Sequence, residues 1–265
     1  MLKRKSMFAV IALVVIFSLA LSACGAGSAG NTLRVGVDNT YPPMEFTNDK
    51  SETIGFDVDL ANEIAKKLNM KIEWIPTAWD GIFLALDTDK YDCIISSVSL
   101  KADRLENYEF TKPYIANAQV IVVSAGTDSI KEPKDLAGKK VGVQLNTTAD
   151  ESTVKYSAEV KFETTKYDQI IQCFSDLKAG RLDAVVVDEV VARDYVAKDK
   201  ESYKVTSAKL TNEPIGVCFK KGNTALRDKV QKAIDELKAE GTLKTLSEKW
   251  FGEDITSNID EKLKE

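Results

Sequence analysis

The 265-residue sequence contains no histidine. That absence removes the imidazole base of Ser-His-Asp and Cys-His nucleophiles, and with it the commonest metal ligand. Cysteine is scarce as well, four residues in all. Cys93, Cys173 and Cys218 lie far apart in apolar stretches ("YDCII", "IIQCFSDL", "IGVCF") with no pair at ligand spacing. They read as small buried hydrophobes rather than a disulfide framework, and neither a metal site nor a cofactor is expected. Positive charge is in deficit, 36 Lys and Arg against 41 Asp and Glu, which disfavours nucleic acid and anionic lipid as direct partners. After the N-terminus no apolar run approaches the roughly 20 residues that a membrane span needs. Carboxylate or lysine chemistry is the one enzymatic route left.

The N-terminus has its own pattern. "MLKRKSMFAVIALVVIFSLALSAC" begins with Lys3, Arg4 and Lys5 and continues as an apolar run from Met7 to Leu21. A run of about 15 residues behind a basic start is a secretory leader rather than a span. Its end, Leu21-Ser22-Ala23-Cys24, resembles the bacterial lipobox, in which the cysteine becomes the lipidated first residue. The expectation is a lipoprotein signal peptide over 1–23 and a flexible Gly/Ser tether over 24–31. The mature body would then be soluble, extracytoplasmic and monomeric, held to the outer face of the cell membrane by lipid on Cys24. Losing three basic residues with the leader takes the net charge from −5 to −8. About 240 mature residues is a length at which one core usually gives way to two.

Strands and helices alternate along this body. "TLRVGV" reads as a buried strand, and "FDVDLANEIAKKLN" places Val58, Ala61, Ile64, Ala65 and Leu68 at helical spacing. "MKIEWI", "CIIS", "QVIVVSA", "KKVGVQ", "DAVVV" and "IGVCF" follow as strands, with helices near 148–157, 167–179 and 189–197 and two more at the C-terminus. The alternation predicts α/β architecture with parallel sheets. An internal echo sharpens it. "ALDTDKYDCIISS" and "DLKAGRLDAVVVD" share one plan, and aligning Asp92 with Asp183 sets Ser97 opposite Asp188. Each sits at the carboxyl end of a strand, where open α/β sheets bind ligands.

The polar residues at strand ends carry the chemistry. Ser96, Ser97 and Ser99 follow "CIIS", and Arg104 adds a fork of donors suited to a carboxylate; alternatively Arg104 pairs at the surface with Asp103 or Glu106. Thr148 and Glu151 have capping-box spacing, and a helix N-terminus there also favours an anion. Asp188 either attracts a cation or caps the helix "EVVARDYV". Trp79 is either core or a stacking platform. Sites for an anion and a cation with serines between them suit the zwitterion of a free amino acid.

"VDNTYPPMEF", "GFDVDLANEIAKKL", "DCIISSVSLKADRLENYEFTKPY", "GKKVGVQLNTTAD", "GRLDAVVVDE" and "GTLKTLSEKWFG" extend from residue 32 to about 252. With these motifs the chain resembles a family 3 extracellular solute-binding protein, the amino-acid receptor of bacterial ABC importers. The resemblance implies a two-lobe periplasmic-binding-protein-like fold, each lobe a mostly parallel sheet flanked by helices, with the ligand cleft between lobes. Lobe one would comprise 31–115 plus 216–265 and lobe two 116–215, with crossings near "YIANAQ" and "NEPIGV". By the same resemblance Arg104 and Thr148 take the α-carboxylate, Asp188 with Ser97 and Ser99 takes the α-ammonium, and Tyr41 and Trp79 sandwich the side chain. Closure of the lobes would present the ligand to a membrane permease and its ATPase. Asp38, at the end of the first strand, and Glu45 in "YPPMEF" offer carboxylates to a donor at the distal end. Arginine, lysine or ornithine is the expected ligand, then glutamine, with cystine a minor option. Two alternatives share the fold. One is a cyclohexadienyl (arogenate/prephenate) dehydratase, which has a glutamate as general acid where this chain has Asp188. The other is a ligand-sensing partner of a signalling protein.

Overall fold

The computed structural model describes residues 31–264. The leader, Cys24 and most of the tether assigned from the sequence lie outside them. Thirteen strands and eight α-helices are described, in two five-stranded sheets and one three-stranded sheet.

The first sheet has the order β5-β1-β6-β13-β7. Its strands are β1 (Thr32–Val37), β5 (Lys71–Pro76), β6 (Cys93–Ile94), β7 (Tyr108–Phe110) and β13 (Cys218–Lys220). The second has the order β10-β9-β11-β8-β12. It is built from β8 (Gln119–Ser124), β9 (Lys140–Gln144), β10 (Glu163–Tyr167), β11 (Ala184–Asp188) and β12 (Tyr203–Lys209). The small sheet joins β2 (Thr40–Tyr41), β3 (Glu45–Thr47) and β4 (Thr53–Ile54).

The sheets are mixed, the parallel order being broken in each by one reversed strand. β1 runs parallel to β6, and β9 parallel to both β10 and β11. Strands that adjoin the passages between the sheets run the other way: β8 against β11 and β12, and β13 against β6 and β7. A strand that enters or leaves a sheet directly from its neighbour, with no crossover helix, is free to be antiparallel.

β8 and β11 are buried along nearly their whole length because both faces are covered, as their continuous β-branched runs require. The covering helices are α1 (Phe56–Leu68), α2 (Ile82–Asp87), α3 (Ala102–Asn107), α4 (Thr148–Val160), α5 (Ile170–Lys178), α6 (Glu189–Lys198), α7 (Thr224–Ala239) and α8 (Thr242–Phe251). One apolar cluster runs from Leu33, Val35 and Phe56 through Tyr114 and Ile115 to Val120, Phe174 and Val185, so the two sheets share a core. The far faces have cores of their own, around Ile82 and Tyr91 in one and Ile121 and Val143 in the other. Cys93, Cys173 and Cys218 are all free and buried in these cores.

The two passages between the sheets hydrogen-bond each other. Ile215 N–H donates to the Ile115 carbonyl at 3.0 Å, Glu213 N–H to Asn117 at 3.1 Å and Leu210 N–H to Gln119 at 2.8 Å. Strand carboxyl ends from both sheets therefore lie next to one short two-stranded neck.

Candidate functional site

All ten residues singled out from the sequence line one cavity between the two sheets. Asp38, Tyr41, Glu45, Trp79, Ser96, Ser97, Ser99, Arg104, Thr148 and Asp188 are joined there by Gln144 and Thr147.

Arg104 reaches the cavity from α3. Its backbone amide, not its side chain, meets Asp103. The guanidinium is 7 % exposed, donates from Nη1 to the Ser99 carbonyl at 3.0 Å, and lies over the rings of Phe83 (5.0 Å) and Trp79 (5.6 Å). It forms no ion pair among the described residues, so the surface pairing with Asp103 or Glu106 is not made. A buried guanidinium with aromatic faces and one carbonyl still has donors for a planar anion.

Asp188 stands at the N-cap position of α6, but its side chain makes no capping bond. Its Oδ2 accepts from the Tyr41 hydroxyl at 2.5 Å, and its Oδ1 from Gln119 Nε2 at 2.7 Å and from Asn117 Nδ2. Burial raises its pKa, while those three donors and the Arg104 charge oppose the rise and favour the carboxylate. Burial and the Asp188 charge push the Tyr41 hydroxyl well up, so it stays a neutral donor.

At the N-terminus of α4 the cap is Thr147 and not Thr148. Thr147 Oγ1 accepts from the Asp150 amide at 3.3 Å and donates to the Gln144 carbonyl at 2.7 Å. Thr148 is the first helical residue, and its hydroxyl is left to accept from Gln119 Nε2 at 3.0 Å. A one-residue shift in the cap thus frees the Thr148 hydroxyl for the cavity.

Asp38 ends β1. It accepts from Thr40 Oγ1 at 2.7 Å and from Gln144 Nε2 at 3.0 Å, and burial raises its pKa against these two bonds. Ser96 Oγ accepts from the Asp38 amide at 2.9 Å and donates to Glu45 Oε1 at 2.9 Å. Trp79 is neither wholly core nor free: its indole edge packs on Phe83, and its Nε1 donates to the Asn146 carbonyl at 3.0 Å.

Sequence reading missed Gln144, Thr147, Asn117, Gln119 and Glu213. Gln144 obeys the rule that found Ser97 and Asp188, a polar residue at the carboxyl end of a strand. Asn117 and Gln119 are the polar members of "YIANAQ", and only their contacts to Asp188 reveal a role. Glu213 is buried in the neck, accepts from Thr211 Oγ1 at 2.5 Å, and has its pKa raised by burial and by the Asp188 charge.

The profile of the bacterial extracellular solute-binding proteins, family 3, matches residues 33–253. The chain is 38 % identical over 226 residues to the L-cystine-binding protein TcyJ of Escherichia coli, covering 85 % of this chain and 84 % of that protein. It is similar to an ancestral arginine-binding protein in two solved structures. The arginine-bound one has a TM-score of 0.80 and 41 % identity, and the glutamine-bound one 0.78 and 42 %; each covers 84 % of this chain and 99 % of the other. An ancestral amino acid-binding protein, AncCDT-1, described as a precursor of cyclohexadienyl dehydratase, has a TM-score of 0.78 and 36 % identity, covering 83 % of this chain and 96 % of its own.

Proposed function

The chain belongs to family 3 of the bacterial extracellular solute-binding proteins, and from that premise we propose that it captures a free, cationic L-amino acid for an ABC importer. Its solute-binding role is that of its family. The carrying observation is Arg104, a buried guanidinium with no ion-pair partner among the described residues, in one cavity with the three-donor carboxylate of Asp188. Arg104, the Thr148 hydroxyl and the α4 N-terminus take the α-carboxylate. Asp188, with Ser97 and Ser99 oxygens, takes the α-ammonium, and Tyr41 and Trp79 flank the side chain.

Asp38 and Gln144 form the distal end, where a buried carboxylate favours a cation. Arg104 is the one basic residue among the described lining residues. A ligand whose side chain ends in a carboxylate, such as glutamate or aspartate, would find no counter-charge there. Arginine, lysine or ornithine fits best and glutamine next. Lobe one (31–115 with 216–265) closes on lobe two (116–215), and a permease with its ATPase receives the closed form, the body being held at the membrane through Cys24. The dehydratase alternative fares worse: that enzyme has a glutamate as general acid where this chain has the shorter Asp188.

A thermal-shift screen of partly refolded protein, freed of carried-over ligand, against the twenty amino acids plus ornithine, citrulline and cystine tests this reading. A micromolar ligand at millimolar concentration adds about 4 kcal/mol to the folded state. The expected result is a large shift with arginine, lysine or ornithine that Asp38→Ala abolishes. A shift with glutamine or cystine alone keeps the receptor and overturns the assignment of Asp38. No shift with any of them overturns the receptor, and incubation with arogenate or prephenate then tests for the aromatic product.

A further inference from the structure

Two acids beside the cavity have no part in this binding scheme. Glu45, first residue of β3, is 1 % exposed, and Asp57, second residue of α1, is 0 % exposed. Both hold Ser97. Its amide donates to Asp57 Oδ2 at 2.8 Å and its hydroxyl to Glu45 Oε2 at 3.3 Å. Ser96 Oγ donates to Glu45 Oε1 at 2.9 Å, and the Tyr114 hydroxyl to Asp57 Oδ1 at 2.8 Å. The two carboxyl groups therefore adjoin at Ser97, where the Asp57 charge acts on Glu45.

Two buried carboxylates side by side offer only acceptors, and neither supplies the other with a counter-charge. Neither acid forms an ion pair among the described residues. The titratable groups that face the pair are Asp38, Tyr41 and Tyr114, none of them basic. Two adjoining carboxylates in such surroundings do not both ionise. Burial, then the Asp57 charge, raises Glu45 well above the ordinary range. Asp57 is also raised by burial, but the Ser97 amide and the Tyr114 hydroxyl favour its charged form. Ser97 itself sits at φ 52, a left-handed conformation that a serine keeps only when its surroundings hold it there.

We propose that Glu45, although it borders the cavity, is a positioning residue that carries the one proton of a Glu45–Asp57 pair and holds Ser97 in its left-handed conformation, instead of meeting the ligand's charge. The inference rests on reading the cavity as an amino-acid site. Glu45 accepts from Ser96 and Ser97 while the shared proton removes its repulsion of Asp57, so the end of β6 keeps its shape only while the pair keeps its proton. Tyr114, at the start of the neck, ties the same pair to the passage between the sheets.

The test is the affinity for L-arginine, or for L-glutamine where arginine does not bind, measured by calorimetry from mildly acid to alkaline pH. Wild type, Glu45→Ala and Glu45→Gln are compared. The alanine variant should lose affinity by about tenfold or more, and the Glu45→Gln variant should bind within about threefold of wild type. An amide in place of the Glu45 carboxyl is neutral beside Asp57 and keeps an acceptor for one serine hydroxyl, while the other can turn to accept from the NH2 group. Wild-type affinity should fall as rising pH takes the proton from the pair, and Glu45→Gln should not show that fall. A Glu45→Gln variant as weak as the alanine one would overturn the proposal, since Glu45 would then act as an anion. So would identical pH profiles of wild type and Glu45→Gln.

A second readout needs no ligand. The infrared carbonyl stretch of a protonated carboxyl should be present in wild type at neutral pH and absent from Glu45→Gln. If no such band disappears, the proton is not on Glu45 whatever the binding data say. If the band is there and neither amino acid binds wild type, the proton assignment stands and the amino-acid site falls.

Discussion

Arg104 concentrates the chemistry of the cavity in one side chain. Phe83 and Trp79 cover the guanidinium and the Ser99 carbonyl takes one donor, so a buried charge is held ready for an anion. Arg104→Ala should therefore weaken amino-acid binding by about 2–4 kcal/mol, roughly 30- to 1,000-fold. Calorimetric titration of the variant checks this, and unchanged affinity would remove Arg104 from the site. At this scale the sequence exposed residues that end strands: Asp38, Ser97 and Asp188 all obey one positional rule. It could not expose Asn117, Gln119 or Asp57, whose part is to hold another side chain from a distant place in the chain. Nor could it choose between cap and ligand for Asp188. The choice is made by three donors, Tyr41, Asn117 and Gln119, that lie 147, 71 and 69 residues away.

Among the elements, the β2–β3–β4 sheet matters most, since it brings Tyr41 and Glu45 to the cavity, and its junction with α1 is tight. Gly55 there has φ 139, and a Cβ on it would stand 2.1 Å from the Met44 carbonyl oxygen and 2.8 Å from the Glu45 amide nitrogen. Backbone cannot move aside as a flexible side chain would. Gly55→Ala should cost about 2–4 kcal/mol, combining a strained φ with a steric overlap. Thermal denaturation checks it, and a loss below about 1 kcal/mol would mean that the hairpin relaxes freely. The helices were readable from sequence because a 3.6-residue apolar period is local, as α1 illustrates. β10 and β12 were not, although they are full-length strands. Both edge their sheet with few buried residues, and an edge strand needs no apolar alternation of its own.

At the scale of the whole molecule, a set of contacts joins the two sheets across the cavity and its margins. Tyr41 meets Asp188, Asp38 meets Gln144, Trp79 meets the Asn146 carbonyl, Lys101 pairs with Glu151 at 2.5 Å and Arg193 with Glu253 at 2.6 Å. Asp38, Glu45, Asp57, Asp188 and Glu213 are among the buried acids, and burial raises the pKa of each. A carboxyl raised on folding favours the folded state below its unfolded pKa, and loses that contribution as pH rises through its folded value. Asp128, Asp135, Asp176 and Asp199 are lowered and act oppositely, losing their contribution as pH falls below the ordinary carboxylate range, but all four are open to solvent in part or whole and so screened. The melting temperature should therefore rise as pH drops from neutral toward about 5 and turn down in stronger acid. A melting temperature that falls steadily from neutral pH downward would mean that the buried acids are ionised in the folded protein.

The sequence by itself determined the alternating α/β order, the apolar faces of the helices, the exclusion of imidazole chemistry and the set of polar strand ends. All of these follow from local periodicity and residue type. Tertiary structure decided which of those ends meet, that Thr147 caps while Thr148 faces the cavity, and that Glu45 has an acid for a neighbour. Hydrogen-bond partners and the loss of water are properties of surroundings that the chain acquires only on folding, and those surroundings set the charge each carboxyl carries.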